Sequence, residues 1–151
     1  MAKEFLINQD GQPSYGIFPN SIGKINHMDF DLRNTMDKRL GNLAKRFKFN
    51  QFQFIGFTSP ELIVGIAIVD LKIASNCFVY AYHPETEKFE EFSFIQPLAV
   101  KTDIALKPND GIARFEKNGN KVVITATATP RLRSVLVELK SGFKLDAVID
   151  E

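Results

Sequence analysis

The stretch that decides the fold reads Val122-Val-Ile-Thr-Ala-Thr-Ala-Thr129, in which apolar residues and threonines alternate from Ile124 onward. In an extended chain, one face would carry Val122, Ile124, Ala126 and Ala128, and the other Thr125, Thr127 and Thr129. Successive side chains of a β-strand point to opposite faces, so a period of two predicts a half-buried strand.

The same period recurs on both sides of this stretch. Eight segments are predicted as strands: 50–58, 61–70, 75–83, 88–95, 111–117, 121–129, 133–140 and 143–149. Segments 61–70 and 75–83 are apolar on nearly both faces, so we expect them to be central in a sheet and covered on both sides. The passage 96–110 is expected to be a loop or an irregular edge.

Short connectors between these segments favour antiparallel neighbours, since parallel pairing needs a long crossover. Turn residues occur at Pro84 to Lys88, at Lys117-Asn-Gly-Asn120 and at Ser141-Gly142. The fold class is therefore predicted as all-β and mainly antiparallel. We expect a lipocalin-like eight-stranded barrel or a sandwich, with one short helix near the N-terminus.

The helix is predicted over residues 35–47. Asn34 or Thr35 could cap it, and apolar side chains follow at helical spacing, at Met36, Leu40, Leu43 and Phe47. Residues 1–33 are rich in glycine, proline and asparagine and are expected to be an irregular N-terminal segment. Residues 34–151 are expected to form the β domain.

Composition excludes several classes of protein. Nineteen basic and eighteen acidic residues leave a formal charge of +1, which provides no broad basic surface for nucleic acid. The longest apolar run, residues 62–69, is too short to cross a bilayer, and we expect no transmembrane segment. The single cysteine, Cys77, cannot form an internal disulfide, so we expect a reducing, cytoplasmic location.

Familiar catalytic and cofactor motifs are absent from the sequence, including Gly-x-Ser-x-Gly, His-Glu-x-x-His, Cys-x-x-Cys and Gly-x-Gly-x-x-Gly. The two histidines, His27 and His83, and Cys77 show no spacing typical of a zinc site. We therefore expect neither a metal nor a cofactor, and no residue is assigned a catalytic role.

Asp70 is the first candidate for a ligand-binding residue, because it ends an apolar strand on the face of Leu62, Val64, Ile66 and Ile68. It could be a ligand-contacting or proton-donating carboxylate in a cavity mouth. The alternative, which turn statistics favour, is a strand-end aspartate that accepts hydrogen bonds from the following turn. His83, near the next turn, is a second candidate for a ligand-binding residue, although it could simply be a strand-end residue beside that turn. It would lie about 20 Å from Asp70 along the sheet, too far for an acid–base pair.

Three further candidates complete the predicted site. Tyr80 and Tyr82 lie on the face opposite to His83, where their hydroxyls would orient a ligand if that face lines a cavity. Otherwise they are core or surface aromatics, the more common role of such residues. Arg46 belongs to a basic cluster that could meet phosphates or acidic lipid or could be a solvated helix face: Lys38, Arg39, Lys45, Arg46 and Lys48.

Five short pieces carry a family resemblance: Arg46-Phe-Lys-Phe49, Phe54-Ile-Gly-Phe57, Ser59-Pro-Glu61, Val69-Asp-Leu71 and Phe78-Val-Tyr80. Their order and spacing resemble the opening half of an uncharacterised microbial family, domain of unknown function 2804, over about residues 46–100. The resemblance implies that the chain is the N-terminal half of a longer protein, and its abrupt end at Glu151 fits that expectation.

That family is in turn similar in build to two-domain lipocalin-like proteins, which include carotenoid hydratases. This second likeness concerns the fold, and a fold does not fix a function. No catalytic residue can be carried over. Among the matched positions, Asp70 and Arg46 are the ones polar enough to serve as site residues.

Three functions fit these observations. The first is a module that binds a hydrophobic small molecule or lipid in an apolar interior. The second is an enzyme acting on an apolar substrate, in a hydratase-like or isomerase-like reaction with Asp70 as the acid. The third is an interaction domain that forms a homo-oligomer or pairs with a C-terminal domain.

Overall fold

The structure is a computed structural model that describes residues 4–18 and 22–150. These residues form a 3-10 turn at His27–Asp29, one helix and nine strands. In chain order the helix and strands are α1 (Asn42–Lys48), β1 (Gln51–Thr58), β2 (Ile63–Asp70), β3 (Ala74–His83), β4 (Lys88–Pro97), β5 (Thr102–Ile104), β6 (Gly111–Lys117), β7 (Asn120–Thr127), β8 (Leu132–Glu138) and β9 (Lys144–Asp150).

The strands build two antiparallel sheets in which each strand pairs with the next one along the chain. The first sheet has the order β1-β2-β3-β4, and the second has the order β5-β6-β7-β8-β9. The prediction of a mainly antiparallel β fold with one helix is therefore confirmed. Within the described residues, the two sheets are not closed into a continuous barrel.

Apolar side chains from the facing sides of the two sheets form one core. In the first sheet the register aligns Ile55, Ile66, Val79 and Phe92 across all four strands. In the second sheet Ile124 faces inward between Ala113 and Val135, and Phe115 has no exposed surface. The inward set therefore follows the period of two that the sequence displays.

The other side of the first sheet, here called the outer face, is apolar as well. Phe52, Phe54, Phe89 and Ile95 lie on it and are 61%, 45%, 57% and 64% exposed. β2 and β3 are central, as predicted. The expected cover on both sides is present only on the inner side of these strands in the described part of the chain.

The strand count differs from the prediction by one. β5 lies in the passage 96–110, which was expected to be a loop or an irregular edge. It has three residues, too few to display an alternating pattern. Its position depends instead on side-chain hydrogen bonds to the first sheet. Gln51 Nε2 donates to the Ile104 carbonyl at 2.8 Å, and the hydroxyls of Ser75 and Thr102 lie 2.7 Å apart.

The predicted helix over 35–47 is wrong in its first half, because α1 begins at Asn42 after the N-cap Gly41. Asn34 does not cap a helix. Its side-chain oxygen accepts the N–H groups of Met36 and Lys38, each at 2.9 Å, and stabilises a tight turn. A side chain that bonds its own nearby backbone competes with helix formation, which explains the late start.

Isolated bridges and turns, without a long helix or strand, make up the described part of the N-terminal segment. Residues 1–3 and 19–21 of the predicted irregular segment, and Glu151, lie outside the described residues. The Asn26 side chain holds Ile7 by accepting its N–H at 2.8 Å and donating to its carbonyl at 3.0 Å. Ile25 N–H donates to the Leu106 carbonyl at 2.7 Å, so the segment is attached to the loop between β5 and β6.

The loop between β5 and β6 depends on close approach at Gly111. A Cβ added there would lie 2.4 Å from the Cβ of Ala105, so the backbone would have to shift. We expect Gly111→Ala to lower the free energy of unfolding by about 1–3 kcal/mol, the usual cost of overpacking. Urea denaturation measures this value. Gly41→Ala meets nothing within 4 Å and should cost less than about 1 kcal/mol, in keeping with its N-cap position.

Candidate functional site

Helix α1 separates two grooves on the surface. Lys45 and Lys48 are three residues apart and line one of them, while Leu43, Arg46 and Phe47 share the other side of the helix and line the second. The sequence predicted that Leu43 and Phe47 follow a helical spacing of apolar residues, a pattern typical of a buried helix face. Instead Leu43 and Phe47 are 72% and 53% exposed, so that face of the helix borders a groove.

The first groove, here called the apolar groove, lies between the N-terminal segment and α1. Its volume is about 290 Å³. Its lining is mostly aliphatic and aromatic, with basic residues at the helix side: Leu6, Ile7, Pro13, Ile25, His27, Phe30, Leu32, Lys45, Lys48 and Phe49. Apolar lining with a few polar groups at one side is typical of small-molecule sites.

Two contacts position the walls of the apolar groove. The rings of His27 and Phe49 stack with centroids 3.8 Å apart and 6° between their planes, which joins the N-terminal segment to the end of α1. Lys45 Nζ donates to the Met28 carbonyl at 2.8 Å, which fixes one ammonium group at the edge. This bond uses one of the three N–H donors of the Lys45 ammonium, and the other two remain for a ligand.

His27 is a polar group inside a mostly apolar wall. Its Nδ1 atom is buried and has no hydrogen bond of good geometry within the described residues. Burial lowers the pKa of His27 below 6.5, and the charge of Lys72 lowers it further, whereas the nearby Ile25 carbonyl and Asp29 oppose the shift. The ring is therefore neutral at neutral pH, and the positive charge beside the groove belongs to the lysines.

The second groove, here called the mouth groove, opens at the α1 end of the two sheets and has a volume of about 550 Å³. It brings together Arg46 and Asp70, two of the candidate ligand-binding residues. Behind it the strand register aligns Gln51, Asp70, Ser75 and Gln96 across the inner side of the first sheet. We call these four side chains the polar row, because they end the apolar core on this side.

The Asp70 carboxylate is occupied by the turn that follows β2. One oxygen accepts the Lys72 N–H at 2.8 Å, and the other lies 2.5 Å from Lys72 Nζ, while Asp70 is 5% exposed. Lys72 Nζ also donates to Gln51 Oε1 at 2.9 Å. The interpretation of Asp70 as a strand-end acceptor for turn amides is confirmed, and both carboxylate oxygens act as acceptors.

The remaining candidates lie away from both grooves. Tyr80 and Tyr82 are on the outer face of the first sheet, where the Tyr80 ring covers Gly65. His83 ends β3 at the opposite end from Ser75, the partner of Asp70, and its Nε2 lies 3.7 Å from Glu90. The structure thus brings Arg46 and Asp70 together and separates Tyr80, Tyr82 and His83 from them.

The residues of the apolar groove were missed because they are distant in sequence. The basic cluster was noticed, and the structure divides it: Lys45 and Lys48 border the apolar groove, Arg46 borders the mouth groove, and Arg39 pairs with Asp31 at 2.9 Å. His27 and Phe49 are 22 positions apart, and no local pattern connects them.

We expect the Asp70 side chain to contribute to the stability of the folded domain. Asp70→Ala leaves Lys72 without its carboxylate partner and should lower the free energy of unfolding by about 1.5–3 kcal/mol, the range for hydrogen bonds to charged groups. Asp103→Ala, an exposed aspartate of the same groove, is the matched control and should stay within about 0.5 kcal/mol of the parent. Equal urea midpoints for the two variants would contradict this assignment.

The lowered pKa of His27 predicts how stability depends on pH. As the pH falls below 6.5, the unfolded chain takes up a proton on this ring before the folded chain does. His27 therefore contributes stability that is present above pH 6.5 and is lost at lower pH. We expect His27→Phe, which keeps a ring on Phe49, to flatten the decline in melting temperature below that pH. His83→Phe retains His27 and should retain the decline.

Metal-binding clusters and membrane-spanning helices are both absent from the described residues. In the described part of the chain, no three His, Cys, Asp or Glu side chains cluster in a way that could hold a metal ion. None of the helices in the described ranges has the length and apolar character needed to cross a membrane.

Comparison with known proteins gives one match. No curated protein and no solved structure matches the chain. A family model, described as domain of unknown function (DUF2804), matches residues 2–151, well beyond the 46–100 stretch on which the resemblance was first based. Because the match covers almost every residue, the chain belongs to the DUF2804 family.

Proposed function

We propose that this domain binds a hydrophobic small molecule or lipid, and that the apolar groove is the site. The observation that supports the proposal is the combination of a mostly apolar lining with lysine ammonium groups at the α1 side. A groove of about 290 Å³ is near the lower limit of ligand pockets, which suits one chain or ring system.

The apolar groove is a better location than the space between the sheets, where the sequence led us to expect a ligand. That space is filled by the protein itself, since Phe115, Ile66 and Val79 lie there with no exposed surface. The pocket at Gln53, Ile124 and Ala126 measures only about 10 Å³, no more than one water.

The basic side of the groove favours a ligand with an acidic head group. Lys45 and Lys48 lie on the same side of α1, and the acidic residue near His27, Asp29, accepts from Asn26 Nδ2 at 2.7 Å. An amphiphile would place its apolar body against Ile25, Phe30 and Leu32 and its charge beside the ammonium groups. Acidic lipid was one of the two interpretations of the basic cluster.

Binding has better support than catalysis. An enzyme with Asp70 as the acid needs a carboxyl group that can offer its proton to a substrate. In this geometry both oxygens of Asp70 accept hydrogen bonds from Lys72. The hydratase-like or isomerase-like reaction remains a hypothesis with no contact in its favour.

We also propose a reducing, cytoplasmic setting. Its support is Cys77, the single thiol, which is fully buried and whose pKa burial raises to about 12. Such a thiol takes part in neither redox chemistry nor disulfide pairing while the domain is folded.

A second candidate function is association with another β domain, either a second copy of this chain or a C-terminal domain. One separate observation favours it, namely the exposed aromatic side chains on the outer face of the first sheet. Large exposed apolar patches mark interaction sites more often than chance.

Binding is tested with a fluorescent fatty acid, 11-(dansylamino)undecanoic acid, titrated into the protein. We expect saturable binding with a dissociation constant in about the micromolar range. Leu32→Asp places a carboxylate in the apolar groove and should weaken binding at least about tenfold, since burying an unpaired charge is costly.

Leu43→Asp is the matched control, because it makes the same change on the other side of α1. It should leave the affinity for the dansyl probe within about twofold of the parent. Absence of binding to the parent protein, or equal loss in both variants, would refute the assignment of the apolar groove.

A further inference from the structure

The outer faces of the two sheets differ sharply in charge. The strand register places eight charged residues on the outer side of the second sheet: Asp103, Arg114, Glu116, Lys121, Glu138, Lys144, Asp146 and Asp150. The four rows of the outer face of the first sheet contain a single carboxylate, Glu91, and no lysine or arginine. Antiparallel sheets that face water on one side are normally polar there.

Large side chains stand at three corners of this face. Phe52 and Ile95 end one row of the register, and Phe89 ends the row that starts at Thr58. Between them, the two middle rows carry the rings of Phe54, Phe78 and Tyr80, and the Phe54 and Tyr80 rings lie over Gly56 and Gly65. The apolar surface therefore continues from one end of the face to the other, and a two-fold axis would set it against the same surface of a second copy.

We propose that the outer face of the first sheet packs against the same face of a second copy of this chain, in a two-fold dimer. The inference rests on the association function proposed above and names its partner. Two copies of a nearly uncharged face do not repel each other, whereas two copies of a charged face would.

The size of the face agrees with this partner. Four strands about 4.8 Å apart and eight residues long at about 3.4 Å each give roughly 500 Å² in projection. Side chains that stand off the sheet raise the accessible area toward the about 800 Å² per partner of a specific interface. Sheets packed face to face lie about 10 Å apart, a gap that phenylalanine side chains from both copies fill.

Sedimentation equilibrium on the full chain tests the dimer. We expect the mass to rise from 17.0 kDa toward twice that value as the concentration increases through about the micromolar range. Ser93→Lys puts a charge on the outer face, midway along the edge strand β4, without removing a core contact. It should raise the dimer dissociation constant at least about tenfold.

Ser134→Lys is the matched control, because Ser134 is on the outer side of the second sheet. It should change the dimer dissociation constant by less than about twofold. If Ser93→Lys loses its native circular dichroism, Phe52→Thr replaces it, with Val148→Thr as its control on the other sheet. Equal dimerisation of the test and control variants would overturn the proposal.

Binding of the dye bis-ANS separates the failure of this dimer from the failure of association in general. A monomeric parent that binds bis-ANS, with binding lost in Ser93→Lys, overturns the second copy as partner and leaves association with a different domain. A monomeric parent without dye binding on this face overturns both.

Discussion

The polar row imposes the constraint on which the α1 end of the molecule depends. Buried polar side chains at the end of an apolar core are costly unless they find hydrogen-bond partners. Three of the four do: Gln51 and Ser75 bond to β5 through the Ile104 carbonyl and the Thr102 hydroxyl, and Asp70 bonds to Lys72. The fourth, Gln96, has a buried Nε2 with no hydrogen bond among the described residues. The bonds of the other three hold the first strand of the second sheet across the end of the first sheet. They also fix the Lys72 ammonium, which lies 5.8 Å from the centre of the Phe49 ring and so approaches the wall of the apolar groove.

Most of the β architecture could be predicted from the sequence because burial in a two-layer fold repeats every second residue. β6 has the predicted limits, and β7 differs from its prediction by one residue at its start and two at its end. The turn at Asn118-Gly119 is equally local, since both residues adopt positive φ as a tight hairpin requires. The start of α1 was not predictable in the same way. At Asn34 a side chain suited to capping a helix was equally suited to stabilising a turn, and only the surrounding chain decides between the two.

The candidate site was less predictable because its parts come from distant positions. Asp70 was recognised as unusual since it ends an apolar strand, and its local role as a turn acceptor followed from the same position. No short stretch of sequence indicates the apolar groove in this way. It exists because the Asn26 side chain holds Ile7 and because His27 stacks on Phe49, and each contact joins segments about twenty residues apart. Tyr80 and Tyr82 were assigned to the correct strand and face, but the face proved to be the outer one.

Four residues around the mouth groove have a left-handed backbone although none is glycine. Lys72 follows β2, and Leu98, Ala99 and Lys101 follow β4, with φ between 48° and 68°. Such conformations cost on the order of 1 kcal/mol or more each and persist only where the surroundings hold them. The polar row and β5 provide these surroundings, so the strained residues and the contacts that hold them lie at the same end of the two sheets. Fraying should therefore start here, and amide protons of residues 98–104 should exchange with solvent sooner than those of β2 and β3.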